Sequence, residues 1–242
     1  MTQLFINKDQ KHGDRIFISG TDYHHLIRVL RSSLGDHISA TDNKGYCYQS
    51  VIEEIKKDQL VCKISQRKKV CKIIPQVTLA QSLIKKDKIE WVLQKATELN
   101  VAEIIPLQTS RTVVNFDQNT FKRTQRWNSI IKTAAQQSER MFLPELSAPT
   151  SIDKLPIENY DLTIMCLARK ERPLLINCLA SNIKYSKILC IIGPEGGFTL
   201  DEENSILNRG GTVVSLGPSI LRSETAAIAC LSQLQMLFKR NK

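Results

Sequence analysis

The chain lacks any apolar run long enough to span a bilayer, and it has no low-complexity tract and no internal repeat. Those absences argue against a helical membrane protein, a disordered linker and a solenoid. No C-x-x-C pair is present, and the seven cysteines (47, 62, 71, 166, 178, 190, 230) are odd in number. Several, such as Cys190 and Cys230, sit inside apolar runs, as small buried hydrophobes do in a reducing compartment; neither a disulfide frame nor a zinc site fits. Histidine is scarce: all four lie in the first 37 residues, and none stands at ligand spacing from a cysteine, so no metal is expected. Neither a P-loop nor Gly-x-Gly-x-x-Gly occurs, which leaves nucleoside triphosphates and dinucleotides poorly supported. The opening, Met1-Thr2-Gln3-Leu4-Phe5-Ile6-Asn7-Lys8-Asp9, has no apolar h-region. A cytoplasmic location without a membrane partner is therefore expected.

What the chain has in excess is positive charge. Its net charge of +10 and pI near 9.3 exceed what solubility needs and favour a polyanionic partner such as nucleic acid. At 242 residues it can form one large or two modest domains.

Residues 1–72 read as a small β-rich domain. Arg15–Ile18 predicts a strand, and Thr21-Asp22 a cap for a short helix through Leu26, Val29 and Leu30. Strands at His37–Thr41, Tyr46–Ile55 and Leu60–Ile64 are separated by hairpin loops, a spacing that suggests a compact barrel. A basic loop, residues 67–72, leads to Pro75, and the domain boundary is placed at 72/73. From Gln76 strands and helices alternate, which predicts an α/β domain with a parallel sheet over 73–242. Strands are expected at 77–80, 102–107, 162–167, 187–192 and 212–216. Helices are expected at 88–99 and 122–138, from a Thr199-x-x-Glu202 capping box to Gly210-Gly211, and from Ser223 or Glu224 to Lys239. The last helix carries Ile228, Leu231, Leu234 and Phe238 as its apolar face.

Two glycine-bearing turns in the last third mark a ligand crevice at the carboxyl ends of buried strands. The first, Gly193-Pro194-Glu195-Gly196-Gly197, follows the strand ending at Ile192. The second, Leu216-Gly217-Pro218, leads into Ile220-Leu221, apolar residues where a loop is usually polar and where a flat apolar ring can pack. Next comes Arg222-Ser223-Glu224-Thr225. Read for structure alone, Ser223 caps the helix and Glu224 complements its dipole. Arg222 does not fit that account, because a cation at the positive end of a helix calls for an anion nearby.

These stretches resemble the ribosomal RNA uridine-N3 methyltransferases of the RsmE family, in the SPOUT superfamily. The resemblance also rests on His24–Arg31 with Gly35-Asp36, Lys95–Leu99, Ile104–Leu107 with Ser110-Arg111, Arg126-Trp127, and Ala134–Arg140 with Pro144. It spans nearly the whole chain in order. One departure is the start, where this chain lacks the arginines that the family usually places before its first Phe. The resemblance implies a PUA-like N-terminal β-barrel that grips RNA and a C-terminal α/β domain with a trefoil knot. It also implies S-adenosylmethionine bound bent in the knot, a homodimer with the site at its interface, and 16S ribosomal RNA, within the small subunit, as substrate. By motif position it assigns the cofactor to Leu167, Ile192, Gly193, Glu195, Gly196, Gly197, Leu216, Gly217, Ile220, Leu221, Ser223, Thr225 and Ala226.

Methylation at N3 needs the uracil proton to leave. Arg222 is therefore expected to stabilise the uridinate, with Glu224 and Glu195 as candidates for the base or for orienting Arg222. Arg15, His25, Arg28, Arg31 and Arg111 are read as RNA contacts, with Arg28 and Arg31 sharing a helical face. The alternatives are a related enzyme acting on a ribose 2′-oxygen or a guanine nitrogen, and a non-catalytic RNA-binding assembly factor.

Overall fold

The computed structural model describes residues 3–113, 120–168, 172–179 and 185–237. The chain divides into two compact units: Met1–Lys72 with Ala135–Leu143, and Ile73–Ala134 with Pro144–Lys242.

The smaller unit is a curled six-stranded sheet. Its strands are β1 (Gln3–Phe5), β2 (Lys11–His12), β3 (Arg15–Ser19), β4 (His37–Thr41), β5 (Tyr46–Ile55) and β6 (Gln59–Lys69), in the order β1-β4-β5-β6-β3-β2. All pairs are antiparallel except β1 with β4. Period-two patterning builds its core: in β3, Ile16 and Ile18 point in between exposed Arg15 and Ser19, and they meet Leu4, Ile38, Tyr48, Ile52 and Leu60. Residues 135–143 join this unit through side-chain bonds. Thr41 Oγ1 donates to the Met141 carbonyl at 2.9 Å, and the Leu143 amide donates to Asn43 Oδ1 at 2.7 Å.

Two local expectations for this unit are corrected. The basic residues Arg67–Lys69 are not loop but the end of β6, paired with Tyr46–Tyr48. There the Arg67 guanidinium stacks 3.6 Å over the Tyr46 ring, which lets a charged stretch continue a strand. The expected helix is a short α1 (Gly20–His24) followed by a π turn over His25–Val29, closed by the Leu30 amide on the His25 carbonyl at 3.0 Å. A π turn advances each residue by a smaller angle than an α-helix, so the apolar stripe breaks. Leu26 is buried, but Val29 and Leu30 are exposed.

The larger unit is built on a parallel sheet of β7 (Gln76–Ser82), β8 (Glu103–Gln108), β9 (Glu145–Leu146), β10 (Thr150–Ser151), β11 (Leu162–Cys166), β12 (Lys187–Ile192) and β13 (Thr212–Val214). The order is β10-β8-β7-β12-β11-β13, with β9 also on β8. In β12, Ile188, Cys190 and Ile192 face one apolar cluster and Leu189 and Ile191 the other. That explains why this strand reads as an unbroken apolar run. Helices α2 (Lys86–Glu98), α3 (Thr120–Gln137) and α6 (Ser223–Leu234) contribute to the first cluster, and α5 (Leu200–Asn208) to the second; a one-turn α4 spans Leu175–Cys178.

The capping box at α5 is formed: Thr199 Oγ1 accepts from the Glu202 amide and Glu202 Oε2 from the Thr199 amide. Helix α6 ends at Leu234, earlier than Lys239, and continues as a 3₁₀ turn over Gln235–Leu237. Its buried stripe is Ala227, Cys230, Leu231 and Leu234. Ile228 is only half-buried; Phe238 lies outside the described residues. No helix among the described residues is long and apolar enough to cross a membrane.

Candidate active site

The crevice forms where three neighbouring strands end. Strands β12, β11 and β13 are adjacent and parallel, so the residues following them emerge side by side: Gly193–Phe198, Leu167-Ala168 and Ser215-Leu216. The segment after β13 then runs back from the sheet edge and supplies Ser219–Ser223 as the fourth wall of a cavity of about 270 Å³. That is near the low end of small-molecule sites. Its return is pinned at one residue. Ser223 Oγ donates to the Gly193 carbonyl at 2.5 Å and accepts from Gln81 Nε2, on β7, at 3.0 Å. Ser223 is therefore a cross-tie rather than the helix cap; the cap position belongs to Arg222, whose side chain makes no capping bond.

Close approach explains the first glycine. A Cβ on Gly193 would lie 2.8 Å from the buried Phe198 ring. Gly197 closes the turn at φ +69°, its amide bonded to the Pro194 carbonyl at 2.9 Å. The loop after β8 braces the turn from outside. Arg111 Nη1 donates to the Gly196 carbonyl at 2.9 Å, and the Ser110 amide donates to Glu202 Oε1 at 2.7 Å.

Of the expected cofactor residues, Leu167, Ile192, Gly193, Glu195, Gly197, Leu216, Ile220, Leu221, Ser223 and Ala226 line this crevice, as does Arg222. Gly196, Gly217 and Thr225 do not. Gly196 faces Arg111, Gly217 folds back to accept from Ser215 Oγ at 3.0 Å, and Thr225 is on the exposed side of α6. Ile220 is 77% exposed, an apolar side chain standing free on the loop.

Charges are arranged differently from the expectation. Arg222 is exposed, and no ion pair ties it to a described residue. Neither Glu195 nor Glu224 is bonded to it in this structure. Both reach Lys88 on α2, whose Nζ lies 3.3 Å from Glu195 Oε1 and 3.5 Å from Glu224 Oε1. A helix brought in by packing supplies the competing cation. Glu224 does not line the crevice; its Oε2 is buried and has no hydrogen-bond partner among the described residues. Sequence reasoning passed over Lys88, Gln81, Phe198 and Ser215. Lys88 was read as the first residue of the helix expected at 88–99, and its signal was its place beside buried Ile89.

The residues expected to touch RNA fall in two places. His25, Arg28 and Arg31 are exposed in the smaller unit, but Arg31 does not share a helical face with Arg28. It follows the π turn with φ +55°, which points it elsewhere. Arg15 pairs with Glu53 at 3.3 Å. Arg111 is in the larger unit, against the glycine turn.

A chain that combines a parallel sheet with a glycine-cornered crevice at its carboxyl ends and a small basic β-unit has counterparts among known proteins. Residues 72–235 match the family described as RNA methyltransferase domain, and residues 18–65 the family described as RNA methyltransferase PUA domain. The class is thus an RNA methyltransferase with a PUA domain. The chain is 32% identical over 225 residues to ribosomal RNA small subunit methyltransferase E of Bacillus subtilis, covering 90% of this chain and 88% of that one. It is 31% identical over 243 residues to the protein of the same name from Synechocystis, covering 98% and 78%. A crystal structure of the Neisseria gonorrhoeae protein of that name, bound to S-adenosyl methionine, superposes with a TM-score of 0.85 at 26% identity, covering 100% of both chains. The chain belongs to the ribosomal RNA small subunit methyltransferase E family.

Proposed function

We propose that this protein transfers a methyl group from S-adenosylmethionine to N3 of a uridine in 16S ribosomal RNA. The observation that carries the reading is the crevice itself: a glycine turn, an exposed apolar loop and the cation Arg222, which has no ion pair with a described residue, converge at the ends of β12, β11 and β13. The cofactor fits what is there. Leu167, Ile192, Leu216, Ile220, Leu221 and Ala226 offer an apolar lining for an adenine ring. At Gly197 the space a side chain would fill is open, so a polar group can approach the backbone of the turn there.

When bound, S-adenosylmethionine supplies a methyl group already activated by its sulfonium leaving group. The chain's own work is to hold the uracil, favour its N3 anion and exclude water. We assign Arg222 to stabilise the negative charge that spreads onto the uracil oxygens as N3 loses its proton. Glu195, at the crevice and open to solvent, is the acceptor for that proton. Ile220 and Leu221 cover the site. Mass spectrometry of 16S ribosomal RNA nucleosides, with and without the gene, tests the reading. Loss of 3-methyluridine in the deletion is expected, and an unchanged nucleoside profile would overturn it.

RNA is held by the smaller unit through phosphates. Arg28→Ala or Arg31→Ala is expected to weaken RNA binding and flatten its salt dependence by a slope of about one, with cofactor affinity unchanged. His25 and Arg15 are assigned to the same role, and Arg111, in the larger unit, to a further RNA contact near the glycine turn. Loss of cofactor binding in either variant would refute this division of labour.

The enzyme works in the cytoplasm, as a homodimer, on RNA of the small ribosomal subunit. Exposed Phe121, Ile220 and Met236 support a partner surface on the larger unit. Sedimentation is expected to give a dimer at micromolar concentration; an active monomer would refute it. The return of the chain from the edge strand β13 across β11 to β12 and β7 supports a trefoil knot.

A further inference from the structure

We propose that Lys88 is a positioning residue that holds Glu195 at the crevice, with Glu224 as its anchor; this rests on the methyl-transfer reading above. The three groups differ in how firmly the fold holds them. Glu224 is in the first turn of α6, its side chain 15% exposed; Lys88 is in the first turn of α2, 26% exposed. Helices α2 and α6 pack on each other and share one apolar cluster, so both are fixed by the core. Glu195, by contrast, rides on the glycine turn with its side chain 45% exposed.

A cation at 3.3 Å from the loop carboxylate and 3.5 Å from the helix carboxylate therefore transmits position in one direction, from the core to the loop. Among the described residues Lys88 is the one cation recorded against Glu195. Lys85 and Lys86 are exposed instead. The orphaned Glu224 Oε2 points the same way. A buried carboxylate oxygen without a hydrogen-bond donor is costly, and its retention is explained by the charge that Glu224 presents to Lys88. Without the ammonium the two carboxylates repel, and Glu195, on the exposed turn, swings away from the substrate.

Lys88→Met keeps the aliphatic stem and removes the charge. It is expected to lower kcat by about 10–100-fold while cofactor Kd stays within about threefold, since misplacing a group costs rate rather than ground-state binding. Lys88→Arg is expected to restore most of the loss. Because Lys88 acts through Glu195, Lys88→Met in a Glu195→Gln background is expected to add nothing, and Glu224→Gln nothing to Lys88→Met. A second readout does not depend on turnover: the Gly197 amide, bonded within the turn, is expected to exchange its hydrogen faster in Lys88→Met and Glu224→Gln than in wild type. Wild-type kcat in Lys88→Met, a defect confined to cofactor affinity, multiplying losses with Glu195→Gln, no rescue by arginine, or unchanged exchange at Gly197 would each overturn the proposal. Wild-type protein that transfers no methyl to ribosomal RNA would instead refute the methyl-transfer reading, and the exchange measurement would still decide the role of Lys88.

Discussion

Replacing Arg222 with alanine is expected to lower kcat by about 10²–10³-fold, the cost of removing one preorganised donor from a developing oxyanion. The loss is expected in kcat rather than in KM, because the proposed interaction strengthens only as N3 gives up its proton. The folded state has little to lose. Arg222 is exposed, makes no capping bond and has no ion pair with a described residue, so the melting temperature is expected to stay at the wild-type value. Raising the pH is expected to rescue the variant partly, since hydroxide then supplies the uridinate that the guanidinium no longer favours. The product blocks the pairing edge of the base, so reverse-transcription stops at the target site report turnover directly. A defect wholly in cofactor affinity, without pH rescue, would make Arg222 a binding residue.

The second large effect is expected at Gly193, where alanine would place a methyl group 2.8 Å from the Phe198 ring. Phe198 is only 6% exposed and packs in the apolar cluster beneath the sheet, so the ring cannot simply swing into solvent. Either the ring leaves its place or the Gly193 carbonyl shifts away from Ser223 Oγ, and both changes distort the crevice. Overpacking of this kind costs about 1–3 kcal/mol. Cofactor affinity is expected to fall about tenfold or more, the equivalent of about 1.4 kcal/mol of that strain lost from binding. Phe198→Leu in the same chain makes room for the methyl and is expected to recover part of the affinity. Calorimetric titration and a thermal melt check both. A Gly193→Ala protein that matches wild type in each would mean that the ring adapts freely and that the glycine serves only the turn.

How far the chain could be read from its residues varies with the reach of the force involved. Strand β12 begins and ends at the residues expected, Lys187 and Ile192, because a strand covered on both faces writes its burial into every position. The capping box at Thr199 and Glu202 was equally plain, since its partners are three residues apart. Glycine turns at the ends of buried strands marked the crevice before any coordinates, and ten of the thirteen residues assigned to the cofactor line it. What failed were readings that depended on backbone closure or on a distant neighbour. A π turn spoiled the shared face of Arg28 and Arg31, and stacking of Arg67 on Tyr46 carried β6 through residues that looked like loop.

Sequence alone, then, determined most of the longer elements, the parallel sheet, the excess of positive charge and the loops that meet at the crevice, because hydrophobic period, capping and glycine act within a few residues. Tertiary structure decided which charges face one another. Glu224 and Glu195 were read as candidates to orient Arg222, yet the fold brings Lys88, 107 positions before Glu195, to take both carboxylates and leaves Arg222 exposed. Ionic partners are set by where packed helices place their first turns, and that placement is recorded in the three-dimensional core and not in the local spacing of residues.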